Sequence, residues 1–546
     1  MIKLIHNNAK SITRIFNGNK VIGLLTKGIS ETLFELAEKF PNEVIIWCEK
    51  EFEEHLNTDV FSEIFHHDLI MASYAIKSTY LPETIGYIDN LPFVNVNHKV
   101  LYPTWQMSTD VGGIKGKVLL HFRELFERAK NFGFLLNSIA KLGQQNGLFC
   151  YSAPKLVKKR KSSVDSKLMN TNSGDKFISS PVAFAQPKIR IEAKASSKEL
   201  FSFTFSHYKN IRILLLFFCL IRYEGRFPLA ALILSLFQKK YFNKNFDLSD
   251  IDLYSRKNGN RRPTVDVIIP TLGRKEYLLK VLEDLKAQSL KPRKVIIVEQ
   301  NPDPVSTSDL PELNSNTWPF YIFHFFINET GACNSRNIAL NEVNADWVFF
   351  ADDDIRFDTD LLSNSLDELK RLGADCLNIN CKQKGENSVF HKIKQWGSFG
   401  SGTSIVSSEF AKNINFDEVF EYGFGEDKDY GMKLRNAGCD IIYHPSIEIL
   451  HLKAPRGGFR ESNLLPWEKD KPKPSPTIMV YAIKHYTLEQ LRGFKTELFL
   501  RYYFRQKIKN PVVYYKGMKK KWKNSEFWAD KLNSDEVKFL NSEKEL

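Results

Sequence analysis

The stretch that most constrains this chain runs from Ala345 to Ile355, ADWVFFADDDI in one-letter code. Its apolar, β-prone part, Trp347 to Ala351, predicts a buried parallel strand, and three aspartates follow that strand directly. The carboxyl ends of parallel strands are where α/β sheets bind their ligands. The sequence therefore predicts an α/β domain with acidic groups at the ligand-binding edge of its sheet.

The three aspartates themselves predict a bound cation, because adjacent carboxylates repel one another unless a positive charge compensates them. On an extended backbone Asp352 and Asp354 project to the same side, whereas Asp353 points away. Oxygen ligands favour Mg²⁺ or Mn²⁺ over Zn²⁺. The alternative is a solvated acidic turn that caps the following helix. Residues 250–252 and 358–360 have the same Asp-x-Asp spacing, but neither closes a long apolar strand.

Length and composition predict a globular chain of several domains. The 546 residues correspond to roughly three or four domains, and a hydrophobic content of 43% is enough to form cores. The net charge of +13 predicts a surface that attracts anions: nucleic acid, anionic lipid or a phosphorylated small molecule. The seven cysteines form no Cys-x-x-Cys pair, and the N-terminus lacks a signal-peptide core, which together predict a cytoplasmic location.

The first half of the chain divides into three regions by composition. Residues 1–150 are predicted to form an α/β accessory domain, with a long helix over 117–142. Residues 151–197 are predicted to be an exposed basic polar linker. Residues 198–261 are predicted to be helical and apolar, although neither apolar run approaches the roughly 20 residues of a membrane span. This region is either a buried helical hairpin between domains or an in-plane membrane helix.

The second half shows the clearest pattern in the chain. Residues 262–460 alternate between strand and helix signals, which predicts β-α-β units. Residues 461–546 are basic and aromatic, with a helical pattern over Thr487 to Phe504 and a basic run from Lys516 to Lys523. This C-terminal region either lies on an anionic membrane surface or packs on the preceding domain with a basic solvent face. Peripheral contact with the inner face of the plasma membrane is therefore one predicted partnership.

Four motifs in this half occur in a characteristic order. They are Val267-Ile268-Ile269-Pro270-Thr271, Arg336-Asn337, Asp352-Asp353-Asp354 and Gly425-Glu426-Asp427-Lys428-Asp429-Tyr430. With these motifs, residues 263–460 resemble the family-two glycosyltransferases with the GT-A fold. The resemblance implies an α/β, Rossmann-like catalytic domain that binds a nucleotide sugar, flanked here by the accessory domain and the helical segments.

The resemblance also implies roles for the acidic residues. Asp354 would bind a metal that bridges the donor diphosphate, Asp352 would face the ribose or the metal, and His451 would add a further metal ligand. Asp427 is the implied general base, and its expected place near a helix N-terminus favours the ionised carboxylate that a base needs. The alternative for such acidic residues, Glu426 included, is simple helix capping.

Contacts with the donor and the acceptor are implied as well. The residues expected at the nucleotide are Pro270, Thr271, Arg274, Glu299, Arg336, Asn337, Asp352 and Asp353. The residues expected at the transferred sugar or the acceptor are Trp396, Gly400, Ser401, Gly402 and Glu426. The glycine-rich loop in the second group would let a sugar approach the backbone closely, or it is a plain turn before a strand.

The resulting hypothesis is an inverting glycosyltransferase that uses Mn²⁺ or Mg²⁺. It would move a sugar from a nucleoside-diphosphate sugar to a glycan or lipid-linked acceptor in cell-surface polysaccharide synthesis. One alternative is a catalytically silent GT-A module that binds sugar nucleotides or glycans as a scaffold, but such a module would be expected to have lost Asp354 or Asp427. Nucleic acid is not a predicted partner, because the basic runs lack a recognisable binding fold.

Overall fold

In the computed structural model the chain folds around two mixed β-sheets. The structure describes residues 1–23, 28–77, 79–158, 194–257, 263–314, 317–421, 423–454, 465–507 and 509–534. The expected linker at 151–197 lies largely outside these ranges. Within the described ranges, none of the helices combines the length and the apolar content needed to cross a membrane.

The N-terminal sheet has eight strands in the order β3-β2-β1-β4-β7-β5-β8-β6. Its strands are β1 Ile2–Asn7, β2 Ser11–Asn17, β3 Lys20–Ile22, β4 Val44–Glu49, β5 Ile70–Tyr74, β6 Tyr102–Pro103, β7 Val111–Lys115 and β8 Phe149–Ser152. Its helices are α1 Ile29–Lys39, α2 Phe61–Ile64, α3 Gly116–Leu120, α4 Arg123–Phe126 and α5 Phe132–Gln144. The α/β prediction for this region is confirmed, and its accessory role stays a prediction.

The long helix expected over 117–142 is wrong, because this stretch contains three separate helices, α3, α4 and α5. The physical reason is a new helix start at Asn131. Its side-chain oxygen accepts a hydrogen bond from the backbone N–H of Phe134 at 2.9 Å, which caps α5. The apolar periodicity continues across the breaks, so the hydrophobic pattern alone did not reveal them.

Three helices follow and pack on the N-terminal sheet: α6 Ser197–His207, α7 Asn210–Glu224 and α8 Leu229–Ser235. A capping box starts α6, since Ser196 and Glu199 each bond to the backbone N–H of the other. Inward-facing residues of α7, including Leu216 and Leu220, share one hydrophobic core with the N-terminal sheet. The region predicted to be helical, 198–261, forms helices as far as Ser235, whereas 236–257 is irregular and 258–261 lie outside the described residues. The three helices pack on protein along one side.

The second sheet contains the buried strand that precedes the three aspartates. Its order is β11-β10-β9-β12-β16-β14-β17-β13, with β15 paired to β17. The strands are β9 Val265–Leu272, β10 Lys294–Gln300, β11 Tyr321–Ile327, β12 Trp347–Ala351, β13 Ile355–Phe357, β14 Cys376–Lys382, β15 Lys394–Gln395, β16 Thr403–Ser407 and β17 Ile442–His451. The buried β12 pairs with β9 in parallel and with β16 in an antiparallel arrangement. The prediction of a buried parallel strand is therefore correct for the β9 side only.

Helices cover both faces of this sheet. They are α9 Lys275–Ala287, α10 Ala332–Asn341, α11 Leu361–Leu372, α12 Ser408–Ala411 and α13 Glu426–Asn436. Alternate residues of β9 enter different cores: Val267 and Ile269 belong to a core that also contains residues of the N-terminal sheet, whereas Ile268 belongs to the core that contains residues of α13. The two sheets therefore share one continuous apolar core.

A buried polar network reinforces this contact between the two sheets. The side-chain oxygen of Gln395 accepts hydrogen bonds from the backbone N–H of Cys150 at 2.9 Å and from the Gln144 amide at 2.8 Å. Its amide nitrogen donates to Asp440 at 2.7 Å. Because every group here is buried, losing one partner would leave an unpaired polar atom in the interface.

The C-terminal region forms α14 Pro476–His485, α15 Leu488–Phe504 and α16 Pro511–Asn533. A Cβ atom on Gly493 of α15 would lie 2.2 Å from the carbonyl oxygen of Tyr87, so α15 packs tightly on the N-terminal domain. Glu497 also pairs with Arg212 of α7 at 2.6 Å. Helix α15 therefore packs on protein, as one of the two alternatives for this region predicts. Its partners include the N-terminal domain and α7, and not only the second domain.

Candidate functional site

The three predicted metal ligands lie together at the end of β12. One ligand atom from each of Asp352, Asp354 and His451 lies within 4.8 Å of the other two. His451 ends β17, whose pairing with β13 brings it opposite Ile355, directly after the aspartates. Two carboxylates and one imidazole at this spacing fit a divalent cation such as Mn²⁺ or Mg²⁺.

The electrostatics of this cluster agree with that fit. Asp354 Oδ1 lies 3.1 Å from His451 Nε2, and Oδ2 accepts a hydrogen bond from the Ala454 backbone N–H at 2.8 Å. Burial opposes ionisation of Asp354, but these two contacts hold its pKa below the usual value. Hydrogen bonding to Asp354 in turn raises the pKa of His451 to about 10. The cluster already stabilises a positive charge at the place where a cation would bind.

Asp353 points away from the cluster, as the extended backbone predicts. Its carboxylate accepts hydrogen bonds from the Thr271 hydroxyl at 2.8 Å and from Arg274 at 2.9 Å. Arg274 also lies 3.3 Å from Asp354. Burial raises the pKa of Asp353 to about 6 despite these donors. Thr271 and Arg274, expected at the nucleotide, thus support the acidic turn directly.

The glycine-rich loop lies between the acidic cluster and the expected base. A Cβ atom on Gly402 would lie 2.1 Å from a carboxylate oxygen of Asp352. One residue earlier, the backbone N–H of Ser401 donates to Asp427 at 3.0 Å. Gly400 is closed in by its neighbour, since a Cβ there would meet the Thr403 hydroxyl at 2.5 Å. This loop therefore brings Asp352 and Asp427 to two sides of one site.

Asp427 occupies the first turn of α13, as its sequence context predicts. Gly425 precedes the helix with φ of +133°, a conformation that favours glycine, and a Cβ atom there would also meet the Phe420 ring at 2.8 Å. Burial, followed by the charge of Glu426, raises the pKa of Asp427 to about 6. Glu426 itself turns back, and its carboxylate accepts the N–H of Gly425 at 3.0 Å. Asp427 is thus a carboxylate with raised proton affinity at a helix N-terminus.

Replacing Gly402 with Ala is expected to disable the site while leaving the fold intact. The new methyl group must displace the Asp352 carboxylate, and overpacking of this kind costs about 1–3 kcal/mol, which would lower activity roughly 5- to 150-fold if it falls on the transition state. Sugar-nucleotide turnover and metal affinity would both be measured. Gly517→Ala is the matched control, because a Cβ there meets nothing within 4 Å. Unchanged turnover in Gly402→Ala would contradict the placement of Asp352 in the site.

Arg336 and Asn337, adjacent on α10, have different contacts. The Arg336 guanidinium is buried and lies 3.1 Å from Asp352, and its charge also acts on Asp427. Asn337 uses its side chain on the backbone of Phe416, donating to the carbonyl at 3.0 Å and accepting the N–H at 2.8 Å. Arg336 therefore lies within the predicted site, whereas Asn337 secures the loop beside it.

Two other predicted contacts are already engaged within the protein. Glu299, at the end of β10, accepts a hydrogen bond from Ser308, and His324 lies 2.8 Å from the same carboxylate. The Trp396 ring stacks on Tyr443 with centroids 4.8 Å apart, so one face of the indole is covered. Pro270 lies within β9, directly before Thr271.

Two supporting residues had no signal in the sequence. Glu421 accepts the backbone N–H of Asn334 at 2.7 Å and so binds the start of α10, the helix that carries Arg336. His485, at the end of α14, lies 2.7 Å from Asp429, two residues after Asp427. The partners are 87 and 56 residues apart in the chain, so no local sequence pattern predicts either contact.

Comparisons with known proteins bear on the second domain. Residues 266–419 match the family model described as glycosyl transferase family 2. The matched segment includes Arg336 and the three aspartates, and it ends before Asp427 and His451. Among curated proteins, none matches this chain in sequence.

Three solved structures show weak similarity. S. aureus TarS 1-349 in complex with UDP-GlcNAc is 19% identical at a TM-score of 0.33, covering 44% of this chain and 73% of that one. The mannosyltransferase PcManGT from Pyrobaculum calidifontis, with GDP-Man and Mn²⁺, is 14% identical at 0.28, covering 50% and 74%. GalNAc-T7 with UDP, GalNAc and Mn²⁺ is 10% identical at 0.30, covering 36% and 44%.

The family match and the four ordered motifs indicate the same family for the second domain. The solved structures, at TM-scores of 0.28 to 0.33, are too dissimilar to add support. The match covers β9 to β16, all the strands of the second sheet except β17, and it includes the three aspartates that follow β12. Residues 266–419 therefore form a segment of the second domain that is similar to glycosyl transferase family 2.

Proposed function

We propose that this chain is an inverting, metal-dependent glycosyltransferase that uses a nucleoside-diphosphate sugar as donor. One observation carries the proposal: the glycine-rich loop contacts the expected metal ligand Asp352 through Gly402 and the expected base Asp427 through Ser401. The groups needed to assist the leaving group and to activate the acceptor therefore lie on the two sides of one loop.

The donor side of the site consists of the acidic cluster and two arginines. Asp352, Asp354 and His451 would hold Mn²⁺ or Mg²⁺, which when bound supplies Lewis-acid stabilisation of the departing diphosphate. Arg336 adds a fixed cation beside Asp352. Arg274 holds Asp353 and Asp354 in place, so the turn keeps its shape when the charge on the ligand changes.

The acceptor side consists of Asp427 and its surroundings. The acceptor hydroxyl oxygen attacks the anomeric carbon and transfers its proton to the Asp427 carboxylate. The bond from that carbon to the diphosphate oxygen breaks, and the electron pair leaves with the nucleoside diphosphate. Because attack and departure occur on opposite faces of the sugar, a single displacement inverts the anomeric centre. The hydrogen bond from Ser401 keeps the carboxylate oriented for this transfer.

A glycan, free or lipid-linked, is the proposed acceptor class, as in cell-surface polysaccharide synthesis. Phe424, three residues before Asp427, is 76% exposed. An exposed aromatic ring beside the base offers an apolar face on which a sugar ring can stack. A catalytically silent scaffold is less favoured, because the chain retains Asp352, Asp354 and Asp427 in one site.

The decisive experiment measures nucleoside diphosphate release by the full chain across a panel of sugar nucleotides. Each donor is tested with Mn²⁺, with Mg²⁺ and with a chelator, since slow donor hydrolysis reports the site even without the acceptor. We expect one donor to turn over in a metal-dependent manner. Binding without turnover for any acceptor glycan would instead favour the silent module, and the absence of donor binding would contradict the proposal.

The reaction is expected to slow in acid because Asp427 must be ionised to accept the proton. Its pKa is raised to about 6, so kcat/KM should be constant above that pH and fall about tenfold per pH unit below it. The measurement is a pH profile with saturating metal at each pH, because protonation of His451 competes with metal binding. A profile that stays flat well below pH 6 would contradict the assignment of Asp427.

A further inference from the structure

Helices α7 and α8, with the residues that directly flank α8, carry an exposed apolar surface that the transferase site does not use. It comprises Phe218, Phe227, Ile233, Leu234, Leu236 and Phe237, whose side chains are between 47% and 82% exposed. The Phe217 ring connects its two parts, with its centroid 6.1 Å from that of Phe218 and 5.3 Å from that of Phe227. We call these six residues the apolar surface. Contiguous exposure on this scale marks an interaction site, whereas single exposed apolar residues are ordinary.

The opposite sides of the same helices anchor them to the protein. Leu216 and Leu220 of α7 and Ala231 of α8 belong to the core shared with the N-terminal sheet. Because the inner side of each helix already fills that core, the outer apolar residues are not needed for packing within the chain. The helices are thus apolar on both sides: the inner side is buried in the core, and the outer side is exposed.

Basic residues flank the part of the apolar surface that runs from Phe227 to Phe237. Arg226 directly precedes Phe227 and pairs with Glu224 at 3.0 Å, and Lys239 lies two residues after Phe237. The side chains of Arg226 and Lys239 are both exposed. The neighbouring helix α16 approaches through Tyr515, whose hydroxyl accepts a hydrogen bond from Arg222 of α7 at 3.1 Å.

The exposed side of α16 extends this positive charge. From Pro511 to Lys523 the helix contains five lysines, all exposed, and no acidic residue: Lys516, Lys519, Lys520, Lys521 and Lys523. The segment from Phe227 to Lys240 likewise contains no Asp or Glu. The combination is an apolar patch with a border in which basic residues outnumber acidic ones, with Glu224 paired to Arg226.

We propose that the apolar surface docks on the anionic face of a phospholipid bilayer. The side chains of 227–237 enter the boundary between headgroups and acyl chains, and the lysines of α16 contact lipid phosphates. The charge decides among occupants: a second copy of this chain seated on the same surface would bring two lysine-rich borders together, whereas anionic lipid complements them. This proposal stands independently of the transferase reaction, because lipid binding is measured without turnover.

The test is co-sedimentation of the full chain with phosphatidylcholine vesicles prepared with and without phosphatidylglycerol. We expect binding to the anionic vesicles only, weakening as salt rises. The variant Phe227→Ser/Ile233→Ser/Phe237→Ser should bind at least about tenfold more weakly, since it removes three inserting side chains. The variant Lys516→Gln/Lys519→Gln/Lys520→Gln should bind more weakly and lose most of the salt dependence.

Val305→Ser/Val389→Ser is the matched control, because both valines are exposed, at 85% and 79%, but lie outside the apolar surface. It should bind vesicles like the unmodified chain. If the triple variant fails to fold, Phe237→Ser alone, at the most exposed of the six positions, should also weaken binding to anionic vesicles. Absence of binding to anionic vesicles, equal binding to neutral ones, or unaltered binding by the apolar variants would overturn the proposal. The proposal would also be overturned if the unmodified chain did not bind vesicles but formed a dimer that the triple variant dissociates.

Discussion

Replacing Asp427 with Asn is expected to lower kcat by about 10²- to 10⁴-fold, the usual contribution of a general base. The amide has nearly the same shape and can still accept the hydrogen bond from Ser401, so the loop should keep its position. It cannot take the acceptor proton, however. Donor affinity should be nearly unchanged, because the base meets the acceptor rather than the nucleotide. The measurements are kcat with the identified donor and donor affinity by calorimetry.

Asp303→Asn is a suitable control for this substitution, because that carboxylate is exposed and lies in the loop after β10, outside α13. It should leave both kcat and donor affinity unaltered. If Asp427→Asn retained full activity at neutral pH, another group would have to serve as the base. A loss of donor affinity equal to the loss of kcat would also contradict the assignment, since it would place Asp427 on the donor side.

Replacing Asp354 with Ala is expected to remove the metal dependence of the protein together with its activity. Asp354 contacts His451 and Arg274, so its loss removes one proposed ligand and frees another from its partner. Loss of a metal's electrostatic contribution corresponds to about 3–4 kcal/mol, or about 10²- to 10³-fold in turnover. Mn²⁺ should no longer raise the thermal midpoint of unfolding or strengthen donor binding.

The matched control is Asp358→Ala, in the second Asp-x-Asp sequence that follows the acidic cluster. Asp358 has the same spacing to its neighbour but lies exposed before α11. Its replacement should leave metal-dependent stabilisation intact. Equal metal effects in the unmodified chain and in Asp354→Ala would contradict the metal site, whatever the activity of the variant. The two variants are therefore distinguishable: Asp354→Ala loses the effect of metal on stability and donor binding, whereas Asp427→Asn loses catalysis alone.

Much of the site was predictable because its residues follow strands and open helices, where local pattern determines geometry. The apolar run before Asp352 predicts a buried strand, and its length places the carboxylates at the sheet edge. Gly425 with Glu426 and Asp427 predicts a helix start, which fixes where the base can lie. The same local logic failed over 117–142, where three short helices share one continuous apolar periodicity.

The sequence by itself determined the α/β class of the second domain, its acidic edge and the identity of the candidate ligands and base. Only the tertiary structure decided that the loop at 400–402 lies between Asp352 and Asp427, that Thr271 and Arg274 hold Asp353, and that His485 supports α13. It also decided that α7 and α8 are apolar on both an inner and an outer side. The physical reason is that strand and helix signals extend over a few residues, whereas these contacts join segments far apart in the chain, and a hydrophobic pattern does not record which of its faces is covered.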